Sequence, residues 1–252
     1  ELDEVVTQIL GERLEGRPKQ GILEQSAVQN YKIGTPLKEP GEFGRTFHYC
    51  KAGSDMPAVF WGRGNDNGLH EGNSHGAVSA GGKVITVADA AGTLNQYADG
   101  FLTIFTTPTQ VSRILSNTAS DDTYVTLTLK DPLLADVPDA TFCGWYPNIY
   151  SNVISLRGVG AGWLSVVCVN IRPITSGYYF WGQTWGFCHG VPNVDPFGTA
   201  ENERDLYFWI DGSLRLTEES DLTLISLQRA GYLLPKTSAA GGDQAYMLQL
   251  HP

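Results

Sequence analysis

No stretch of the 252-residue chain approaches the ~20 consecutive apolar residues that a membrane-spanning helix needs, and no charged-then-apolar secretory leader opens it. Those absences predict a soluble protein without a membrane partner. Basic residues are scarce: 17 Lys and Arg stand against 27 Asp and Glu, a formal net charge of −10. Phosphate recognition needs clustered cations that release counterions, so nucleic acid is not expected as a partner. Charged residues of either sign make up only 17%, below the ~25% usual in soluble domains, while 42% are hydrophobic. A disordered chain has the opposite balance. Cysteine is sparse as well. Cys50, Cys143, Cys168 and Cys188 lie far apart, without the Cys-x-x-Cys spacing of zinc or redox sites, which predicts reduced, mostly buried thiols rather than a disulfide framework.

Helical periodicity is confined to the start. Leu2, Val5, Val6, Ile9, Leu10 and Leu14 recur at helical spacing, and Gly16 and Pro18 then stop the pattern, so a short amphipathic helix is expected to end near Glu15. A helix this short is marginal in water and must lay its apolar face on something: its own body, a sister subunit or another protein. Residues 1–30 thus read as an N-terminal arm. From Tyr31 to Pro252 the chain is a succession of short β-branched and aromatic runs punctuated by Gly, Pro, Asn and Asp, the pattern of an all-β barrel or sandwich built from many short antiparallel strands. Val125, Leu127 and Leu129 alternate with Thr126 and Thr128, and Tyr246, Leu248 and Leu250 with Met247 and Gln249, as half-buried strands do. Further runs stand at Phe47–Cys50, Val59–Trp61, Phe101–Thr106, Trp163–Ile171, Leu206–Ile210 and Leu222–Leu227. Gly81-Gly82 and the turn at Gly158–Gly162 bracket a segment, about 83–156, that reads as a small β-barrel inserted into the body.

The motifs that suggest chemistry fail on spacing. His70 and His75 are five apart, not four as in His-Glu-x-x-His, and Gly72 and Asn73 disfavour the helix that would carry them; a polar loop without metal is expected. Asn65-Asp66-Asn67-Gly68 lacks the acidic last ligand of a calcium loop and reads as a hairpin turn. The Gly158–Gly162 run lacks the strand–turn–helix context of a dinucleotide fingerprint. Cys188-His189 are adjacent, so in a strand they face opposite ways and form no dyad. Residues 195–221 hold eight carboxylates against Arg204 and Arg215, which reads as a solvated acidic surface. No catalytic residue and no cofactor is expected from these patterns. The most aromatic stretch, with Tyr178, Tyr179, Phe180, Trp181 and Trp185, fills a core or forms a contact surface.

Five blocks carry a family resemblance. They are Tyr31–Leu37, Arg45–Gly53, Asn95–Leu102, Leu127–Leu133 and the aromatic segment Gly177–Cys188. In this order they resemble a family of head proteins of tailed bacteriophages, over roughly Tyr31 to Cys188, with Ser112-Arg113-Ile114 where the family commonly has a Tyr-Arg-Ile strand. The resemblance implies a structural, non-enzymatic role as a decoration or cement protein on the outer surface of the capsid. It also implies the major capsid protein as partner, self-assembly into trimers, and assembly in the host bacterial cytoplasm. Two other readings remain open: a carbohydrate-binding module stacking sugars on Trp163, Trp181, Trp185 and Trp209, and a glycan hydrolase with an acidic pair within 195–221.

Overall fold

The computed structural model describes residues 20–41, 44–156, 164–193, 204–216, 228–234 and 244–252. The expected N-terminal helix, with Leu2, Val5, Val6, Ile9, Leu10 and Leu14, lies outside them, as do Leu222–Leu227 and the Gly158–Gly162 turn. The described residues contain no helix, and every strand ladder among them is antiparallel. In chain order the strands are β1 (Gln25–Ser26), β2 (Pro36–Lys38), β3 (Thr46–Lys51), β4 (Gly62–Asn65), β5 (His70–His75) and β6 (Val84–Ala88). They continue with β7 (Phe101–Ile104), β8 (Gln110–Asn117), β9 (Tyr124–Leu129), β10 (Phe142–Tyr146), β11 (Val153–Ser155) and β12 (Ser165–Val169). The last five are β13 (Tyr179–Gly190), β14 (Asp205–Phe208), β15 (Leu214–Leu216), β16 (Gln228–Leu233) and β17 (Gln244–Gln249).

Strands β5 to β10 close a six-stranded barrel in the order β10-β5-β6-β9-β8-β7. The remaining strands form the body, a branched sheet whose main path is β11-β4-β12-β13-β17-β16-β14-β15. Period-two alternation builds the barrel: Ile85, Val87, Val125, Leu127 and Leu129 point inward with Leu102, Ile104, Cys143 and Trp145, while Thr86 and Thr126 meet outside. The barrel is an excursion from a body ladder, since β4 and β11 pair with each other, Asn65 opposite Val153, and the chain between them forms all six barrel strands. Its strands run from His70 to Tyr146, not over 83–156, and Gly81-Gly82 lies in the connection between β5 and β6.

Three local expectations are corrected. The His70–His75 segment is strand β5, paired with β6 and β10, because the barrel needs its backbone even though its side chains are polar and glycine-interrupted. Asn67-Gly68 does not join a hairpin; β4 belongs to the body and β5 to the barrel, and Asn67 instead bends the chain through an Asx turn onto the Asn65 side-chain oxygen. Val59–Trp61 precedes a strand rather than forming one. Strand β4 is the glycine-rich Gly62–Asn65, where a side chain at Gly64 would meet Leu156 at 2.5 Å and one at Gly62 the Phe208 ring at 2.7 Å.

Polar side chains hold barrel to body. The Tyr146 hydroxyl donates to the Asn67 carbonyl at 2.6 Å and accepts from the Asn65 amide at 2.7 Å. Asp99, buried at the barrel end, accepts Lys32 from the body at 2.7 Å and Arg113 from β8 at 3.1 Å.

A buried imidazole lies against the C-terminus. His48 on β3 stacks on Tyr150 with centroids 4.8 Å apart, meets His251 edge-on at 4.8 Å, and hydrogen-bonds Thr184 Oγ1 through Nδ1 at 3.0 Å. Burial first, then the neighbouring His251 and Lys38, push its pKa down to about 4. The folded state therefore binds fewer protons than the unfolded chain between the ordinary imidazole value and about 4, and stability falls as pH falls through that window. The loss should approach roughly 3 kcal/mol at full protonation. Thermal melts from pH 7 to pH 4 should show this slope, and His48→Gln should flatten it; an unchanged slope in the variant would assign acid sensitivity elsewhere.

Candidate functional site: the anchor of the N-terminal arm

Strand β13 carries the aromatic segment and pairs with four others. Its first half lies against β3, with Phe180 opposite Cys50 and Trp181 opposite Tyr49, and its second half against β17. Strands β1 and β12 also pair with it. A register shift between Gln183 and Trp185, with Gly186 at φ +92°, bends the strand so that it serves both halves. The Gln183 side chain fills the bend, donating to the Trp185 and Phe187 carbonyls at 3.1 and 2.8 Å.

Gln20, the first described residue, is bound onto this strand. Its side-chain amide donates to the Tyr179 carbonyl at 2.9 Å and the Glu24 carbonyl at 3.0 Å. Its side-chain oxygen accepts the Tyr49 hydroxyl at 2.6 Å and the Asn30 amide at 3.1 Å, and its backbone carbonyl accepts the Trp181 indole N–H at 3.0 Å. The Tyr49 oxygen in turn accepts the Asn30 backbone N–H at 3.1 Å. Rings of Tyr31, Tyr49 and Trp181 pack within 4.9–5.3 Å of one another around this knot. Burial raises the Tyr49 pKa, so the phenol stays protonated and able to donate to Gln20. Gln20, Tyr49 and Trp181 are all buried and their side-chain polar atoms meet partners inside the knot, whereas the buried Tyr31 hydroxyl beside them has none.

The predicted contact residues divide. Phe180 and Trp181 are buried, Tyr178, Tyr179 and Trp185 half-buried, so the stretch is a core strand whose rim reaches the surface. Trp181 is closed to a sugar, Trp209 lies under the Arg215 guanidinium at 4.3 Å, and Trp163 is outside the described residues. Gln20 and Asn30 carried no signal in the sequence. They sit in an aperiodic segment, and a lone amide acquires meaning only when distant strands bring Tyr49 and Trp181 to it.

The other candidate groups are dispersed. His70 and His75 project to opposite sides of β5, His70 beside Tyr97 and Trp145 and His75 stacked on Tyr124 at 4.2 Å. Among the described residues no three His, Cys, Asp or Glu side chains group to hold a metal ion. Cys188 is buried while His189 is exposed, and burial pushes the Cys188 thiol up to about 12 and the Cys143 thiol up to about 11. All four thiols are free and buried. Of the acidic stretch, Asp205 pairs with Arg229 at 2.9 Å and Asp211 accepts from Ser213, while Asp195, Glu201, Glu203, Glu218, Glu219 and Asp221 lie outside the described residues. No family model, curated protein or solved structure matches the chain.

Tyr49→Phe removes one donor and one acceptor from the knot and should destabilise the protein by about 1–3 kcal/mol. It should also speed amide exchange and proteolysis around residues 20–31, whereas Tyr178→Phe should change neither. Equal protection of that segment in Tyr49→Phe would show that the knot does not hold the arm.

Proposed function

We propose that the chain is a structural virion protein, a capsid decoration or cement protein that binds the outer face of a phage head and stabilises contacts between major capsid protein capsomers. The observation that carries the reading is the Gln20 knot. A β body with its own cores ties the root of an N-terminal segment to its central strand, and that segment bears six aliphatic residues at helical spacing. A segment rooted in this way is suited to reach a neighbour. Each aliphatic side chain fully covered there contributes ~1.5–3 kcal/mol before the entropy of ordering is subtracted, and a shell multiplies the effect through repeated contacts. The resemblance of five sequence blocks to phage head proteins points to the same reading. Raised thiol pKa values argue against a cysteine nucleophile, because the thiolate is the reactive form.

Deleting residues 1–19 while keeping Gln20 isolates the arm from the fold; a cut at residue 30 would also remove β1 and the knot. The truncated protein should melt within a degree or two of the full chain yet occupy few sites on particles that lack the native protein. Full occupancy by the truncated chain, or a melting temperature that drops sharply, would overturn the proposal in favour of an arm that packs on its own body.

A further inference from the structure

Two buried thiols meet at the centre of the body. Gln183 of β13 is opposite Phe47 on β3 and opposite Val169 on β12, so β3 and β12 flank β13 on its two edges. Cys50 from β3 and Cys168 from β12 reach toward each other over Gly182, where a side chain would stand 3.1 Å from the Cys50 sulfur and 2.6 Å from the Cys168 sulfur. Both residues are fully buried with free thiols, in an apolar shell that includes Val153, Ile174 and Phe180. A disulfide does not fit there. Strands two steps apart in a sheet lie roughly 9.5 Å from each other, beyond the ~7 Å between Cα atoms that a disulfide bridges.

The same place holds a cation without a counter-ion. Arg63 on β4 is directly opposite Cys168 in the ladder, which sets the two side chains on one face of the sheet. Its guanidinium is buried and donates to neutral oxygens of Asn170, Ser155 and Ala58, and among the described residues no carboxylate pairs with it. Removing a guanidinium from water without an anion is costly, and burial lowers the Arg63 pKa to about 10 while charge on Cys168 acts in the opposite direction.

We propose that Cys50 and Cys168 hold one soft monovalent cation, Cu(I), as a two-coordinate dithiolate whose negative charge is balanced by Arg63. A cation between the sulfurs adds two metal–sulfur bonds, roughly 2.3 Å each by the zinc–thiolate measure, and so spans a gap that a direct S–S bond does not. The donor set selects the metal. Thiolates are soft ligands, and zinc would need two more, whereas among the described residues no third His, Cys, Asp or Glu joins the pair. Monovalent copper, with its filled d shell, accepts two thiolates in line. Two thiols and one Cu(I) give a bis-thiolate complex of charge −1 and two protons, which leave to solvent, and no atom changes oxidation state. Beside the guanidinium the complex is neutral as a unit, which offsets the cost of burying either charge alone. The inference goes beyond the capsid reading and does not depend on it.

Because both sulfurs are buried, the reduced full-length chain is offered one equivalent of Cu(I) without oxygen in two ways, as folded protein and during refolding from denaturant, and is then challenged with a colorimetric Cu(I) chelator. One copper per chain should survive the challenge by at least one route. It should show the near-ultraviolet absorption of copper–thiolate bonds, a shell of two sulfurs in X-ray absorption, and two protons released per copper bound by the folded chain. Cys50→Ala and Cys168→Ala should each lower the retained copper tenfold or more, whereas Cys143→Ala and Cys188→Ala should keep it. Arg63→Gln, which removes the balancing charge, should weaken binding about tenfold. Circular dichroism of each variant separates loss of the site from loss of the fold, and where a variant does not fold, the X-ray absorption shell and the proton count of the unaltered chain decide. Less than half an equivalent retained by both routes, a shell containing nitrogen or oxygen, full retention in Cys50→Ala or Cys168→Ala, or unchanged affinity in Arg63→Gln would overturn the proposal.

Discussion

The body depends on what a single strand can hold. β13 runs for twelve residues and hydrogen-bonds to β1, β3, β12 and β17, so the sheet joins through it. A strand in that position must be buried on both faces for much of its length, and its composition answers the demand. Phe180 joins the core cluster under Cys50, Met56, Tyr150 and Ile174, Trp181 joins Phe47 and Tyr49 in another, and Cys188 reaches a third with Leu206, Leu214 and Tyr246. Where three strands crowd together, bulk gives way to glycine. A side chain at Gly182 would stand 2.6 Å from the Cys168 sulfur and 3.1 Å from that of Cys50, so two thiols from the flanking strands meet over its bare backbone. The small, polarisable thiol suits that gap, and burial keeps the Cys50 thiol far above its ordinary pKa.

The same strand explains why the arm has a defined root. An N-terminal segment usually frays because nothing offsets the entropy of ordering it. Here the Gln20 side chain and carbonyl meet Tyr49, Asn30, Trp181 and Tyr179 together, inside an aromatic cage that keeps water from competing. Arg172 adds a bond from the β12–β13 connection to the Leu23 carbonyl, and Gln25 accepts the Thr175 N–H at 2.8 Å. The strap over residues 20–31 is thereby part of the fold.

Sequence patterning was most informative where one face of a strand is buried and the other is wet. Val125–Leu129 and Tyr246–Leu250 alternate cleanly, and both are strands. It was least informative for β4 and β5, whose sequences Gly-Arg-Gly-Asn and His-Glu-Gly-Asn-Ser-His carry no apolar period. In β4 the cause is close packing, with glycines lying under Phe208 and Leu156, and with Arg63 buried between them. That guanidinium satisfies itself on neutral oxygens, donating to Asn170 at 2.6 Å, Ser155 at 2.9 Å and the Ala58 carbonyl at 2.5 Å, and burial lowers its pKa to about 10. No hydropathy pattern marks a strand whose central side chain is a buried cation. In β5 the cause is closure: a barrel needs a sixth backbone, and Trp145 from β10 fills the interior above Gly72, within 3.2 Å of where its side chain would stand.

The candidate site follows the same division. The aromatic half, Tyr179 to Trp185, stood out as a dense run, but its partner half was invisible, because Gln20 and Asn30 are defined only by what β13 and β3 bring to them. The barrel face is a parallel case. Phe101, Val111 and Phe142 belong to three strands and Phe105 directly follows β7, and each has a buried neighbour in sequence, so each reads singly as an ordinary outward residue. Only the register that places Gly144 beside Thr103, and Thr103 beside Val111, sets them on neighbouring strands of the barrel wall. A strand pattern tells which side chains leave the core; which of them lie together depends on pairings between residues far apart in the chain, such as Gly144 with Thr103 or Trp181 with Gln20, and the arm root and the barrel wall both owe their chemistry to that second kind of information.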